Sequence, residues 1–145
     1  MREIVDLTKD LIRYKSTQNR PEEILKCARF IETWFKDHDI ACAVVENNGV
    51  PSIHALPPRR LTPLLLMSHI DVVNADDSLF EPIEKDGRLY GRGAIDDKYA
   101  AALSMVLLRN RIQSNRHRGV ADGTLALGVL ITGDEEVGGY HGARS

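Results

Sequence analysis

The stretch Leu-Leu-Leu-Met-Ser-His-Ile-Asp, residues 64–71, is an apolar run that ends in a histidine and an aspartate two positions apart. A short continuous apolar run of this kind is typical of a strand that is buried on both faces. We therefore predict a strand over residues 61–68 that is covered from both sides. Residues two apart in an extended segment point to the same side, so His69 and Asp71 can address one site.

The segments around this strand predict an alternation of helices and strands. Apolar residues recur at helical spacing over residues 2–14 and again after Pro21, which suits the first turn of a helix. Asn47-Asn48-Gly49 predicts a turn between two strands. The remaining predicted elements are strands over 40–46, 52–56 and 125–132 and a helix over 96–112. This alternation predicts an α/β fold: a three-layer, mostly parallel sheet with helices on both faces.

Two acidic clusters follow the first motif, and each lies where an apolar segment meets a loop. Asp96-Asp97 opens a predicted helix, where acidic residues are common caps, and Glu135-Glu136 follows the strongest predicted strand. Adjacent carboxylates raise each other's pKa unless a cation or solvent offsets their charge. Taken alone, each cluster also fits a structural role: a hydrogen-bonded His-Asp pair, a helix cap or a solvated loop. Because ligands gather at the carboxyl ends of strands, the clusters together predict a site for divalent metal ions.

Composition and charge exclude several classes of partner. The 145 residues are 43% hydrophobic with a formal net charge of −2, so we expect one domain and neither nucleic acid nor a membrane as partner. The opening Met1 to Asp6 has acidic residues where a signal peptide needs a basic start, which predicts a cytoplasmic protein. Cys27 and Cys42 lack Cys-x-x-Cys spacing, so we expect free thiols.

Three stretches resemble one family, the co-catalytic zinc amidohydrolases that include acetylornithine deacetylase, succinyl-diaminopimelate desuccinylase, aminoacylase, glutamate carboxypeptidase and several dipeptidases. They are Ser-His-Ile-Asp-Val-Val at 68–73, Gly-Arg-Leu-Tyr-Gly-Arg-Gly-Ala-Ile-Asp-Asp-Lys at 87–98, and Thr-Gly-Asp-Glu-Glu-Val-Gly-Gly at 132–139. The resemblance spans almost the whole chain. It implies a zinc-exopeptidase-like fold and the hydrolysis of amide bonds in small peptides or N-acyl amino acids.

The resemblance also implies a role for each acidic residue and for the histidine. His69 would bind one metal ion and Asp71 would orient it, while Asp96 would bridge two metal ions and Glu136 would bind the second. Glu135 would be the general base that helps a bridging hydroxide to attack the amide carbonyl. Zinc is the metal that the family uses by default, and cobalt or manganese suits the same ligands.

Some positions depart from the family pattern. Asn74 stands where proline is common, Asp97 where many members have methionine and Tyr99 where glycine is usual. The Asp-Asp-Lys form is more similar to the dipeptidase and carboxypeptidase branches. His141 lies near the glutamates, and we expect it to have a surface or capping role rather than to bind metal.

The resemblance further implies that residues 1–145 are the N-terminal part of a catalytic domain. Members carry a further acidic ligand, a last histidine ligand and an inserted lid domain through which the intact protein would form a homodimer. We therefore expect these residues to be an inactive fragment of a deacylase, carboxypeptidase or dipeptidase.

Two other functions remain open from the sequence. One is a non-catalytic binding or interaction module that keeps the scaffold, although Glu135, which binds no metal in this scheme, favours an enzyme. The other is nucleotide binding by Gly91-Arg92-Gly93, whose glycine spacing lacks the full phosphate-binding pattern.

Overall fold

A computed structural model describes residues 1–57, 62–122 and 125–142. The start of the predicted strand at Leu61 lies outside these residues, as do positions 143–145. The helices are α1 (Arg2–Ile12), α2 (Pro21–Asp37) and α3 (Lys98–His117), and the strands are β1 (Ala43–Asn47), β2 (Val50–Ala55), β3 (Leu64–His69), β4 (Ile83–Lys85), β5 (Arg88–Tyr90) and β6 (Leu127–Thr132). Short 3₁₀ turns span Asp77–Phe80 and Glu135–Val137.

The helices form where the apolar spacing predicts them. Helix α1 buries Leu7, Leu11 and Ile12 along one stripe, and α2 begins with Pro21 and carries two glutamates in its first turn. Helix α3 continues to His117, five residues beyond its predicted end. Two basic residues in its last turn, Arg116 and His117, lie at the negative end of the helix dipole, where positive charge stabilises the longer helix.

The main sheet has the strand order β1-β2-β6-β3. The predicted α/β fold of a sheet and helices is confirmed, but the prediction that most of its strands are parallel is wrong for the described strands. Of the strands that the structure describes, only β3 and β6 pair in parallel, whereas β1 pairs with β2 and β2 with β6 in antiparallel fashion. For β1 and β2 the cause is local: Asn48 and Gly49 adopt positive φ angles in a tight turn, and such a turn returns the chain beside itself.

The hydrophobic core lies on the sheet face that carries Ile53, Val129 and Ile131, where side chains from all three described helices pack. On the opposite face, Leu65 and Met67 of β3 are 40% and 53% exposed. Among the described residues, the strand predicted to be covered from both sides is thus covered on one. The helix that packs on β3 is α3, which lies on the face that carries Leu66.

A second, two-stranded sheet joins β4 to β5 through a tight turn at Asp86 and Gly87, both of which have positive φ angles. Within the described ranges, no helix combines the length and the apolar character needed to cross a membrane.

Candidate metal centre

The parallel pairing of β3 with β6 brings two of the predicted motifs to one edge of the sheet. His69, the last residue of β3, is in register with Thr132, the last residue of β6, and the Ile70 amide donates to the Thr132 carbonyl at 2.9 Å. The segments that follow β3 and β6 therefore lie close together. Asp71 is in the first of them, and Glu135 and Glu136 are in the second. This is the edge where α/β sheets bind ligands.

Asp71 is the residue that ties the two strand ends together. Its side chain is fully buried, and its carboxylate accepts hydrogen bonds from the backbone amides of Glu135 at 3.1 Å and Glu136 at 3.0 Å. The side-chain amide of Gln18 donates a third at 3.1 Å. Asp71 thus sets the position of the whole glutamate turn, which the sequence did not reveal.

His69 lies between Asp71 and Asp96. Its Nδ1 is 3.0 Å from the Asp71 carbonyl and 3.4 Å from the Asp71 carboxylate, and its Nε2 is 3.1 Å from Oδ1 of Asp96. Oε2 of Glu135 lies 3.7 Å from the same Nε2. Burial lowers the pKa of His69, but the Asp71 and Asp96 carboxylates outweigh it and raise the pKa to about 9.

The carboxylates at the site differ in exposure. The side chains of Asp96 and Glu135 are 72% and 59% exposed. Glu136 is half-buried, and burial, followed by the nearby Asp96 charge, raises its pKa. Burial likewise raises the pKa of Asp97, although the charge of His69 opposes this. The centre is therefore rich in negative charge and short of cations, which favours the binding of a positive ion.

The donor set fits a divalent metal ion in its chemistry. One imidazole and several carboxylates are ligands that zinc accepts, and the contact of Nδ1 with the Asp71 carbonyl directs Nε2 toward Asp96. Nε2 would have to give up its proton before it could act as a ligand. Among the residues that the structure describes, no three His, Cys, Asp or Glu side chains form a group arranged to hold a metal ion.

Lys98, the last residue of the second motif, links that motif to the end of α1. It is fully buried, and its ammonium donates to the carbonyls of Leu11 at 2.9 Å and Tyr14 at 2.7 Å, at the end of α1. Burial lowers the pKa of Lys98 to about 8. Gly93 makes room for it, since a Cβ there would lie 2.8 Å from Cδ of Lys98. The place of Lys98 in the second motif did not indicate this role.

Asp134 fastens the loop that follows the glutamates. Its buried carboxylate accepts from the backbone amides of His141 at 2.8 Å and Gly142 at 3.2 Å. The ring of His141 lies 3.1 Å from the side-chain amide of Asn48, at the β1–β2 turn. This placement agrees with the surface role predicted for His141.

Comparison with known proteins defines the class. The family model described as peptidase family M20/M25/M40 matches residues 65–145, a segment that contains all three motifs. The chain belongs to this family.

Individual relatives agree with the family match. Succinyl-diaminopimelate desuccinylase from Janthinobacterium sp. (strain Marseille) is 31% identical over 143 residues, covering 94% of this chain and 36% of that protein. Among solved structures, an M20 family metallo-carboxypeptidase from Sulfolobus solfataricus superposes with a TM-score of 0.74 at 22% identity, covering 96% of this chain and 32% of that one. Human carnosine dipeptidase 1 gives a TM-score of 0.69 at 20% identity, covering 95% and 33%. The chain thus spans about a third of the length of these proteins.

Proposed function

We propose that the protein is a metal-dependent hydrolase that cleaves amide bonds in small peptides or N-acyl amino acids. The observation that carries the proposal is the tie made by Asp71. Through it the ends of β3 and β6 meet, and Glu135 comes within 3.7 Å of the His69 ring, which Asp96 contacts at 3.1 Å. Membership of the peptidase family supports the same reaction class.

The residues proposed to hold two divalent metal ions, zinc by preference and cobalt or manganese as substitutes, are His69, Asp96 and Glu136. Asp96 would be shared between the ions, while His69 and Glu136 would each serve one. Ions held by this donor set would supply Lewis acidity to a water molecule and to the amide carbonyl. The excess of carboxylates around one imidazole is what supports this assignment.

Glu135 is the proposed general base. Its amide is fixed by Asp71, while its carboxylate is 59% exposed and lies 3.7 Å from His69. A carboxylate held at the edge of the site in this way can take a proton from water and return it to the departing amine. Asp71 would act by keeping His69 and the glutamate turn in place.

The names of the relatives support the proposed substrate class. They include desuccinylases, a metallo-carboxypeptidase and a carnosine dipeptidase, all named for reactions at the amide bonds of small molecules or chain ends. Because residues 1–145 span about a third of such proteins, we propose that these residues expressed alone have little or no activity. The predictions of a homodimer and of a cytoplasmic location stay predictions.

The experiment that tests the proposal separates the base from the ligands in the complete protein. Glu135→Gln is expected to lower kcat at least 100-fold, because it removes the base, while zinc affinity changes little. Glu136→Gln is expected to weaken zinc binding. Asp37→Asn, an exposed carboxylate at the far end of α2, is the matched control and should change neither.

Turnover is measured with N-succinyl-diaminopimelate, N-acetyl amino acids and a panel of dipeptides, and zinc affinity by calorimetry. Hydrolysis at the wild-type rate by Glu135→Gln would rule out the mechanism. Zinc binding without hydrolysis of any amide in the panel would favour the alternative, a binding module that keeps the scaffold.

A further inference from the structure

The loop between α1 and α2 runs beside the segment that carries Asp71. The hydroxyl of Ser16 donates to the Ile70 carbonyl at 2.6 Å, and the Val72 amide donates to the Ser16 carbonyl at 3.0 Å. Thr17 forms a parallel bridge with Val72. Both Ser16 and Thr17 are buried. This pairing holds the loop alongside the segment of Asp71, and the side chain of Gln18 reaches the Asp71 carboxylate.

Both ends of the loop are also fastened. Lys15 and Arg20 both bind the carboxylate of Asp77, at 2.7 and 2.9 Å, and the Arg20 amide donates to the Thr17 carbonyl at 2.8 Å. The backbone at Gln18 is therefore fixed from both sides. Its side chain reaches Asp71 from an ordered position, although the residue itself is exposed.

The Gln18 amide completes the set of donors around the Asp71 carboxylate. Its Nε2 donates to Oδ2 at 3.1 Å, the oxygen that also accepts the Glu136 amide, while Oδ1 accepts the Glu135 amide. A carboxylate has about four acceptor sites, so these donors together leave little freedom for it to rotate. Gln18 is the one of these three donors that comes from a side chain on another element.

We propose that Gln18 is a positioning residue of the metal centre, which holds the Asp71 carboxylate in the orientation that fixes His69 and the Glu135-Glu136 turn. The inference rests on the proposed function, because its effect is read out as metal affinity. It adds a residue outside the three sequence motifs, contributed by the loop that joins the first two helices.

The test compares two Gln18 variants of the complete protein with a control variant and with His69→Ala. Gln18→Met keeps the length of the side chain and removes the donor, and Gln18→Glu places a second carboxylate against Asp71. Gln113→Met, at an exposed position of α3, is the matched control. Zinc affinity is measured by calorimetry, the ligand geometry by the visible spectrum of the cobalt-loaded protein, and folding by the urea midpoint in the presence of a chelator.

Direct partners of metal ligands typically change affinity by roughly 10- to 100-fold, so a residue one step further out should change it less. We expect Gln18→Met to weaken zinc binding by roughly 3- to 10-fold and to shift the cobalt spectrum, with the urea midpoint equal to that of Gln113→Met. Gln18→Glu should shift the cobalt spectrum further, since two facing carboxylates repel each other and displace the Asp71 side chain.

Each other outcome counts against the inference. Wild-type zinc affinity in Gln18→Met, with binding lost in His69→Ala, would overturn the role of Gln18 and leave the proposed function standing. A fall in the urea midpoint that accounts for the lost affinity would show a purely structural role. Absence of zinc binding in the unmodified protein would overturn the inference and the proposed function together.

Discussion

Replacing Asp71 with asparagine removes the acceptor that joins the ends of β3 and β6. The carboxylate receives the backbone amides of Glu135 and Glu136 on its two different oxygens. An asparagine of the same shape has one acceptor oxygen and one NH₂ group, so at least one of these amides would face a donor. Since Asp71 is fully buried, water cannot replace the lost acceptor.

The magnitude follows from those contacts. A buried donor left without an acceptor costs about 1–3 kcal/mol, and the hydrogen bonds that survive lose the extra strength of a charged acceptor. We therefore expect Asp71→Asn to lower the free energy of unfolding by about 3 kcal/mol in the absence of metal. Asp37→Asn, which changes an exposed carboxylate in the same way, should alter it by no more than about 0.5 kcal/mol.

The assay is urea unfolding of both variants with a chelator present, monitored by circular dichroism. Hydrogen exchange at the Glu135 and Glu136 amides gives a local readout, because the amide that loses its acceptor should exchange faster. A loss of stability no greater than that of Asp37→Asn, with both amides still protected, would refute the reasoning.

Three further predictions follow from the same region. In the metal-free protein, His69 has a pKa raised to about 9. Its contribution to the free energy of unfolding is complete below its unfolded pKa of about 6.5 and is lost as pH rises to about 9, an effect on the order of 3 kcal/mol. Urea titrations at a series of pH values should show this loss in the wild type and not in His69→Gln. Lys98→Ala should destabilise by about 3 kcal/mol, since it empties a buried position and removes the two hydrogen bonds that the ammonium donates, and a variant as stable as wild type would contradict this. Gly93→Ala should lower the thermal midpoint more than Gly87→Ala does. Both glycines have positive φ, but a Cβ at position 93 would meet Lys98, whereas one at position 87 would meet nothing within 4 Å. Equal shifts of the midpoint would contradict this.

Much of the centre could be predicted from the sequence because its residues stand at the ends of recognisable elements. The apolar runs before His69 and before Glu135 indicate two strands, and parallel strands bring their carboxyl ends to one edge. The convergence of these motifs needed no knowledge of side-chain contacts.

What could not be predicted depends on contacts between distant segments. The bonds from Gln18 to Asp71 and from Lys98 to the end of α1 join residues 53 and up to 87 positions apart, and neither has a periodic signal. The direction of the strands also differs from the prediction. Alternation of helices and strands favours parallel pairing, but the turn at Asn48-Gly49 makes β1 and β2 antiparallel. Turn chemistry outweighed the general pattern there.

Anomalous diffraction at the zinc edge, from crystals of the complete protein grown with zinc, tests whether His69 and the acidic clusters form one metal centre. We expect two peaks that share Asp96, one bound to Nε2 of His69 and the other to the carboxylate of Glu136, with Glu135 beside them and bound to neither. Zinc bound elsewhere on the molecule, with His69 still paired to Asp96, would contradict it.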